Sequence, residues 1–128
     1  MSAMSDYLEA KILNHVLRNT AYTPASTVYI GLSTGSFADG NSGTELSGNG
    51  YARRSIAFDA ASSGVSDNTS AIDFPTATGS WGTVSNWGLF DASSSGNLLI
   101  HGAFSASKAV ATGDILRIAA GELDITAA

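Results

Sequence analysis

The stretch that decides the fold class is VSNWGLFDASSSGNLLIHGAF, residues 84–104 of this 128-residue chain. Two runs rich in apolar residues, 84–90 and 97–104, flank the polar segment DASSSG, which ends in glycine. Two strand-like runs on either side of a short, glycine-containing connection are typical of a β-hairpin. The stretch therefore predicts a pair of antiparallel strands.

Similar short runs recur on both sides of this hairpin, separated by turn residues. They are TVYIGLS (27–33), YARRSIAF (51–58), SAIDF (70–74), DILRIA (114–119) and ELDIT (122–126). Many short strands at such spacing indicate an antiparallel sandwich or a partly closed barrel. We predict a mainly β, antiparallel β-sandwich or jelly-roll-like fold over 27–126. The length suits a single domain over 1–128.

The N-terminal segment has a different pattern. Apolar residues recur at the spacing of an amphipathic helix, at Leu8, Ile12 and Val16, with Leu13 and Leu17 beside them. Asp6 is the predicted N-cap, with Glu9 three residues later. We predict a helix over 6–19 whose apolar stripe packs on the sheet or on a neighbouring subunit.

One polar segment, STGSFADGNSGTELSGNG (33–50), lacks strand alternation and is predicted to be a long surface loop. Phe37 and Leu46 are its candidate anchors. Loops of this length in compact domains are commonly functional. We expect this loop and the helix to contact neighbouring subunits.

Composition excludes several classes of protein. The net charge is −5, with six Lys and Arg against eleven Asp and Glu, and the cations form no basic stripe. Nucleic-acid binding depends on such a stripe, so no nucleic-acid partner is expected. The chain has no cysteine, no apolar run of membrane-spanning length and no recognisable signal peptide, so no disulfide, thiolate metal site or membrane association is expected.

Arg53 and Arg54 follow the glycine-rich segment SGNG (47–50) and raise the question of a phosphate site. The segment lacks the Lys and Ser/Thr of a P-loop and leads into a strand. Adjacent strand residues point to opposite faces, so the two side chains are not expected to hold one anion. One of them is expected to lie on apolar surface with a carboxylate partner or at a subunit seam.

Three further patterns suggest chemistry. GLSTG (31–35) matches a nucleophile motif around Ser33, with His101 as its candidate base, but the strand-to-helix context is missing. Asp39, Asn41 and Glu45 alternate loosely like calcium ligands without the EF-hand spacing. Aromatic residues form a candidate sugar platform, although aromatic residues in strands more often belong to the core: Trp81, Trp87, Tyr51 and Phe90. We expect no enzymatic activity and no cofactor.

Four blocks of the sequence resemble a family of small virion structural proteins of tailed bacteriophages. They are LEAKILNHVLRNTAYTPASTVYIGLST (8–34), TELSGNGYARRSIAF (44–58), IDFPTATGSWGTVSNWGLFDASSSGNLLIHGAF (72–104) and TGDILRIAAGELDIT (112–126). Such proteins are often labelled tail fibre proteins, and similar small β-proteins serve as trimeric capsid decoration or cement. The resemblance implies a virion part made in the host cytoplasm and brings no catalytic residues.

The repeats that build the shaft of a fibre, which are heptads, β-helical repeats and collagen-like triplets, are all absent from the sequence. This favours a decoration or cement protein on the outer head surface, bound to the major capsid protein or other virion proteins as a homo-oligomer, with a trimer favoured. The alternatives are a tail-associated fibre, adaptor or glycan-binding module, and a small hydrolase using Ser33. The candidate interface residues are Leu8, Ile12, Val16, Phe37, Leu46, Arg53 and Arg54.

Overall fold

Ten strands and one helix form the part of the chain that the computed structural model describes, residues 2–40 and 42–127. The helix α1 spans Asp6–Leu17. The strands are β1 (Ser2–Met4), β2 (Val28–Ala38), β3 (Ser42–Glu45), β4 (Arg54–Ile56), β5 (Val65–Asp67), β6 (Ile72–Asp73), β7 (Gly82–Phe90), β8 (Leu98–Val110), β9 (Arg117–Ile118) and β10 (Asp124–Thr126). These strands pair antiparallel. The predicted mainly β, antiparallel fold with one N-terminal helix is confirmed.

The main sheet has the order β1-β8-β7-β2-β3, and β4 also pairs with β2. The hairpin predicted from residues 84–104 is its centre, because β7 pairs with β8 along most of its length and Phe90 lies opposite Leu98. On its other side β7 pairs with β2. The far edge of β2 is shared, with β4 beside its first residues and β3 beside its last.

Two small ribbons, β5–β10 and β6–β9, make the second layer. Side chains from the sheet and the ribbons bury one another in a common apolar core: Ile30, Leu32, Ile56, Phe74, Trp81, Val84, Trp87, Leu89, Val110, Leu116, Ile118 and Leu123. Sequential side chains of a strand point to opposite faces. The other face of the sheet carries a second, smaller cluster of Phe37, Phe90 and Leu98.

The segment 33–50 differs from its prediction as a long loop. β2 continues to Ala38 and pairs with β3, so a hairpin occupies most of the segment. Residues 34–36 are exposed while Ser33 and Phe37 are buried. A hairpin at the sheet margin needs few apolar side chains, which is why the sequence showed no apolar alternation there.

The N-cap of the helix lies one residue before the predicted one. Ser5, and not Asp6, is the N-cap, and its hydroxyl accepts a hydrogen bond from the Leu8 amide. The same hydroxyl donates to the carbonyl of Leu98 in β8, so the cap is fixed by the sheet. The helix ends at Leu17, short of the predicted boundary at residue 19, and Asn19 has a positive φ of 53°.

The two ends of the described chain lie side by side. The Thr126 amide donates to the Ser2 hydroxyl at 3.0 Å. β1 therefore adjoins β10, which links the edge of the main sheet to the β5–β10 ribbon.

Candidate functional site

The Arg53 guanidinium makes the densest set of hydrogen bonds on the face of the sheet that carries Phe37, Phe90 and Leu98. Its side chain is only 7% exposed and forms a two-point ion pair with Glu45, with Nε–Oε2 and Nη2–Oε1 distances of 2.8 and 2.7 Å. The guanidinium carbon lies 3.6 Å from the centre of the Phe90 ring. Nη1 donates to the carbonyls of Ala92 and Ser95 at 2.9 and 2.8 Å. Arg53 thus ties the β7–β8 loop to the β3 edge of the sheet.

Tyr51 completes this cluster. Its hydroxyl donates to Glu45 Oε2 at 2.6 Å and accepts from the Leu32 amide at 2.9 Å. Burial and then the hydrogen bond to Glu45 raise the pKa of Tyr51 well above its ordinary value. A Cβ atom on Gly31 would lie 2.7 Å from Glu45 Oε2, so the cluster requires glycine at that position of β2.

The β7–β8 loop, residues 91–97, is closed by its own hydrogen bonds. Asp91 accepts from the backbone amide and the side-chain amide of Asn97 at 2.7 and 3.0 Å. Burial acts to raise the pKa of Asp91, but these hydrogen bonds outweigh it and hold the pKa below its usual value. The loop is therefore a fixed projection at this end of the sheet.

The arginine pair does not form an anion site. The Arg53 guanidinium donates to Glu45 and to two loop carbonyls. Exposed Arg54 donates from Nε to the Asp73 carbonyl at 3.1 Å. The two side chains bind different parts of the molecule. The expectation that one arginine lies on apolar surface with a carboxylate partner describes Arg53, which lies over Phe90 and pairs with Glu45.

The candidate nucleophile and calcium ligands are engaged elsewhere. Ser33 is fully buried and donates to the Thr44 carbonyl at 2.6 Å, while His101 Nε2 lies 2.6 Å from Asp39 Oδ1. Glu45 is held by Arg53, and Asn41 lies outside the described residues. Within residues 2–40 and 42–127, no group of three or more His, Asp or Glu side chains is placed to hold a metal ion.

The aromatic residues belong mostly to the core and not to an exposed platform. Trp81 and Trp87 are buried, and the Trp81 indole donates to the Asn49 carbonyl at 2.8 Å. Tyr51 stands edge-on to Trp81 at 5.6 Å between ring centres. Of the two interpretations of the aromatic pattern, the structure supports packing in the core.

The predicted interface residues differ in burial. Leu8 and Phe37 are buried, and so is the side chain of Arg53. Leu46 is half-buried, and Ile12, Val16 and Arg54 are exposed. Their role in an interface stays a prediction. No sequence pattern indicated the pairing of Arg53 with Glu45, because Glu45 lies in a segment predicted to be a loop.

Helix α1 carries the largest uncovered apolar surface. Its first turn is anchored through buried Leu8 and the Ser5 cap, and the Asp6 amide donates to the Asp39 carbonyl. Its second half leaves large apolar side chains in solvent, which are Ile12, Leu13, Val16 and Leu17 at 38, 55, 70 and 73% exposure. Monomeric proteins rarely keep such a patch unless it meets a partner.

An apolar cleft of about 230 Å³ opens beside the first turn of α1. Its walls come from the helix, the sheet and the β5–β10 ribbon: Leu8, Val28, Leu89, Ile100 and Ile125. The cleft therefore reaches α1 at buried Leu8, one helical turn before the first exposed apolar side chain, Ile12.

The fold and these contacts define a small β-domain whose polar clusters fix loops and whose helix leaves apolar side chains in solvent. A family model described as Podophage GP4 fiber I protein gp80 matches residues 3–126. The chain belongs to this family, and it is a phage virion structural protein. No curated protein shows significant similarity to the chain. Within the described residues, no helix is long and apolar enough to cross a membrane.

Proposed function

We propose that this protein is a non-enzymatic subunit of the phage particle that acts by packing against copies of itself and other virion proteins. The observation that carries the proposal is the uncovered half of α1, with four large apolar side chains in solvent. Burying such side chains at an interface provides the free energy of assembly. The clusters around Arg53 and Asp91 hold the loops rigid, which lowers the entropy cost of association.

A place in a fibre or its adaptor is favoured by the description of the matching family, which names a fibre protein of a podophage. The sequence has no repeat of the kind that builds a shaft. The domain therefore serves as a knob, a tip or an adaptor module of the fibre. A host glycan is its partner if it lies at the tip.

Capsid decoration is the second candidate, as expected from the resemblance. It is favoured by the small domain and by the low content of charged residues, 13%, which suits a surface covered by neighbours. In this case a homo-oligomer, with a trimer favoured, bridges major capsid protein subunits on the outer head surface. Interfaces of about 1,200–2,000 Å² stabilise the shell.

Quantitative mass spectrometry on separated heads and tails tests the proposal. Few copies, found with the tails, support the fibre or adaptor role. Many copies, found with the heads, support decoration and remove the fibre role. Purified virions that lack the protein contradict both.

A further inference from the structure

A polar cleft of about 440 Å³ lies between the segment 45–53 and the β7–β8 loop. One wall carries Glu45, Tyr51 and Arg53, and the other wall is formed by the three successive serines 93–95. Ligand sites in proteins commonly occupy about 300–1,000 Å³. The cleft is therefore large enough to hold a small organic ligand or one end of a larger one.

Both walls of this cleft are held in place by hydrogen bonds within the chain. Arg53 bonds Glu45 on one wall and two backbone carbonyls of the loop on the other. The hydrogen bonds between Asp91 and Asn97 close the loop itself. Because the walls are ordered in advance, a ligand in the cleft pays little of the entropy cost of forming its site.

The charges that line the cleft cancel each other. The Arg53 guanidinium and the Glu45 carboxylate are 2.7 Å apart, and the other residues that line the cleft carry no charge. An anion would be repelled by Glu45 as much as it is attracted by Arg53, and the reverse holds for a cation. The lining therefore favours an uncharged ligand.

The open hydrogen-bonding positions of the cleft complement hydroxyl groups. The exposed side-chain hydroxyls of Ser47, Ser93 and Ser94 make no hydrogen bond to any other part of the described chain. Glu45 accepts three hydrogen bonds, whereas a carboxylate has about four acceptor positions, and its side chain is 25% exposed. The half-buried ring of Tyr51 adds apolar surface beside these polar groups.

We propose that this cleft binds an uncharged sugar of a bacterial surface glycan, with the serine hydroxyls and Glu45 bonding the hydroxyls of the sugar and Tyr51 packing against its ring. The inference rests on the proposed function, because it gives the fibre role a binding site. The site differs from the aromatic platform considered from the sequence, whose Trp81 and Trp87 are buried. Lipid-linked and capsular polysaccharides present the same hydroxyl chemistry, so both are sources of such a sugar.

The first test measures binding of the full chain to an array of purified bacterial polysaccharides, with lipopolysaccharide O-chains and capsular polysaccharides as separate sets. We expect binding to uncharged polysaccharides, and the set that is bound identifies the source. Ser94→Trp, which places a large ring in the cleft, is expected to weaken this binding at least about tenfold. The matched control is Ser107→Trp, because Ser107 is also an exposed serine but lies on β8 and does not line the cleft. Circular dichroism checks that both variants keep the fold.

A second test locates the site and detects weak binding. The isotope-labelled chain is titrated with glucose, galactose, mannose and rhamnose at millimolar concentrations and followed by amide NMR spectra. At least one sugar is expected to shift the amide signals of residues 45–53 and 91–97 while those of residues 105–110 stay unchanged.

Four outcomes overturn the inference: no binding in either experiment, binding to charged polysaccharides alone, equal effects of Ser94→Trp and Ser107→Trp, or amide shifts confined to residues outside the cleft. These outcomes are separate from a failure of the proposed function. A protein that is present in virions but binds no sugar removes the glycan site and leaves the virion role standing. Absence from virions removes the role whatever the chain binds in solution.

Discussion

Replacing Arg53 with alanine is expected to be among the most destabilising single changes on the face of the main sheet that carries Phe37, Phe90 and Leu98. The substitution removes four hydrogen bonds, two to Glu45 and one each to the carbonyls of Ala92 and Ser95. It also removes the stacking on Phe90. Glu45 is left in a largely covered position without its counter-ion.

Removing one partner of a buried ion pair costs about 3–5 kcal/mol. The Glu45 side chain is 25% exposed, so water recovers part of this loss and the expected cost is near the lower end, about 3 kcal/mol. For a domain of this size, that lowers Tm by about 10 °C. It is also a large fraction of an ordinary folding free energy of about 5–15 kcal/mol.

The assay is urea unfolding followed by tryptophan fluorescence and circular dichroism, with Arg54→Ala as the matched control. Arg54 is exposed and makes one hydrogen bond, to the Asp73 carbonyl. Its removal is expected to cost less than about 0.5 kcal/mol. Equal urea midpoints for the two variants, at equal m-values, would refute the conclusion that Arg53 stabilises the fold by tying the β7–β8 loop to β3.

Three further changes test other parts of the fold. Gly31→Ala is expected to lower the free energy of unfolding by about 1–3 kcal/mol in thermal melts, because the new Cβ would lie too close to the hydrogen-bonded side chain of Glu45. The control is Gly35→Ala, whose Cβ meets nothing closer than 3.9 Å and which should change the free energy by less than about 0.5 kcal/mol. Equal melting temperatures for the two variants contradict the close approach at Gly31. Ser5→Ala is expected to cost about 1–2 kcal/mol in urea unfolding through the lost cap, and an unchanged midpoint excludes Ser5 as the anchor. Asp67→Asn is expected to raise Tm at pH 7. The folded-state pKa of Asp67 is raised, mainly by the Asp124 hydrogen bond, so its ionised form opposes folding above that pKa; the gain should vanish at pH 3, where Asp67 is protonated in both states, and a gain that persists there contradicts the charge explanation.

The strand architecture was predictable because its signals are local. Alternation and turn residues around 84–104 gave the central hairpin, and the apolar spacing from Leu8 to Val16 gave the helix. Both depend on residues close together in the chain. The order of strands in the sheet depends on distant pairings, which a single sequence does not encode locally.

The cluster around Arg53 shows the limit of such reasoning. Sequence alternation separated Arg53 from Arg54 and required a carboxylate for the one on apolar surface. It did not select Glu45, because the segment containing Glu45 is polar and carries no strand pattern. That partner became visible only when β2 and β3 were seen to pair and to bring Glu45 beside Tyr51 and Arg53.

The helix itself was predictable from the sequence, but its surroundings were not. Sequence periodicity says which side chains share a face and not whether the rest of the chain covers them. Here only Leu8 is buried, while Val16 and Leu17 remain largely in solvent.

The meeting of the two chain ends at Ser2 and Thr126 has a mechanical consequence. Tension applied between these ends acts across neighbouring hydrogen bonds and opens β1 from β8, and β10 from β5, one bond after another. A load that enters through these two positions is therefore expected to peel the two edge strands before it stresses the central pairs β2–β7 and β7–β8.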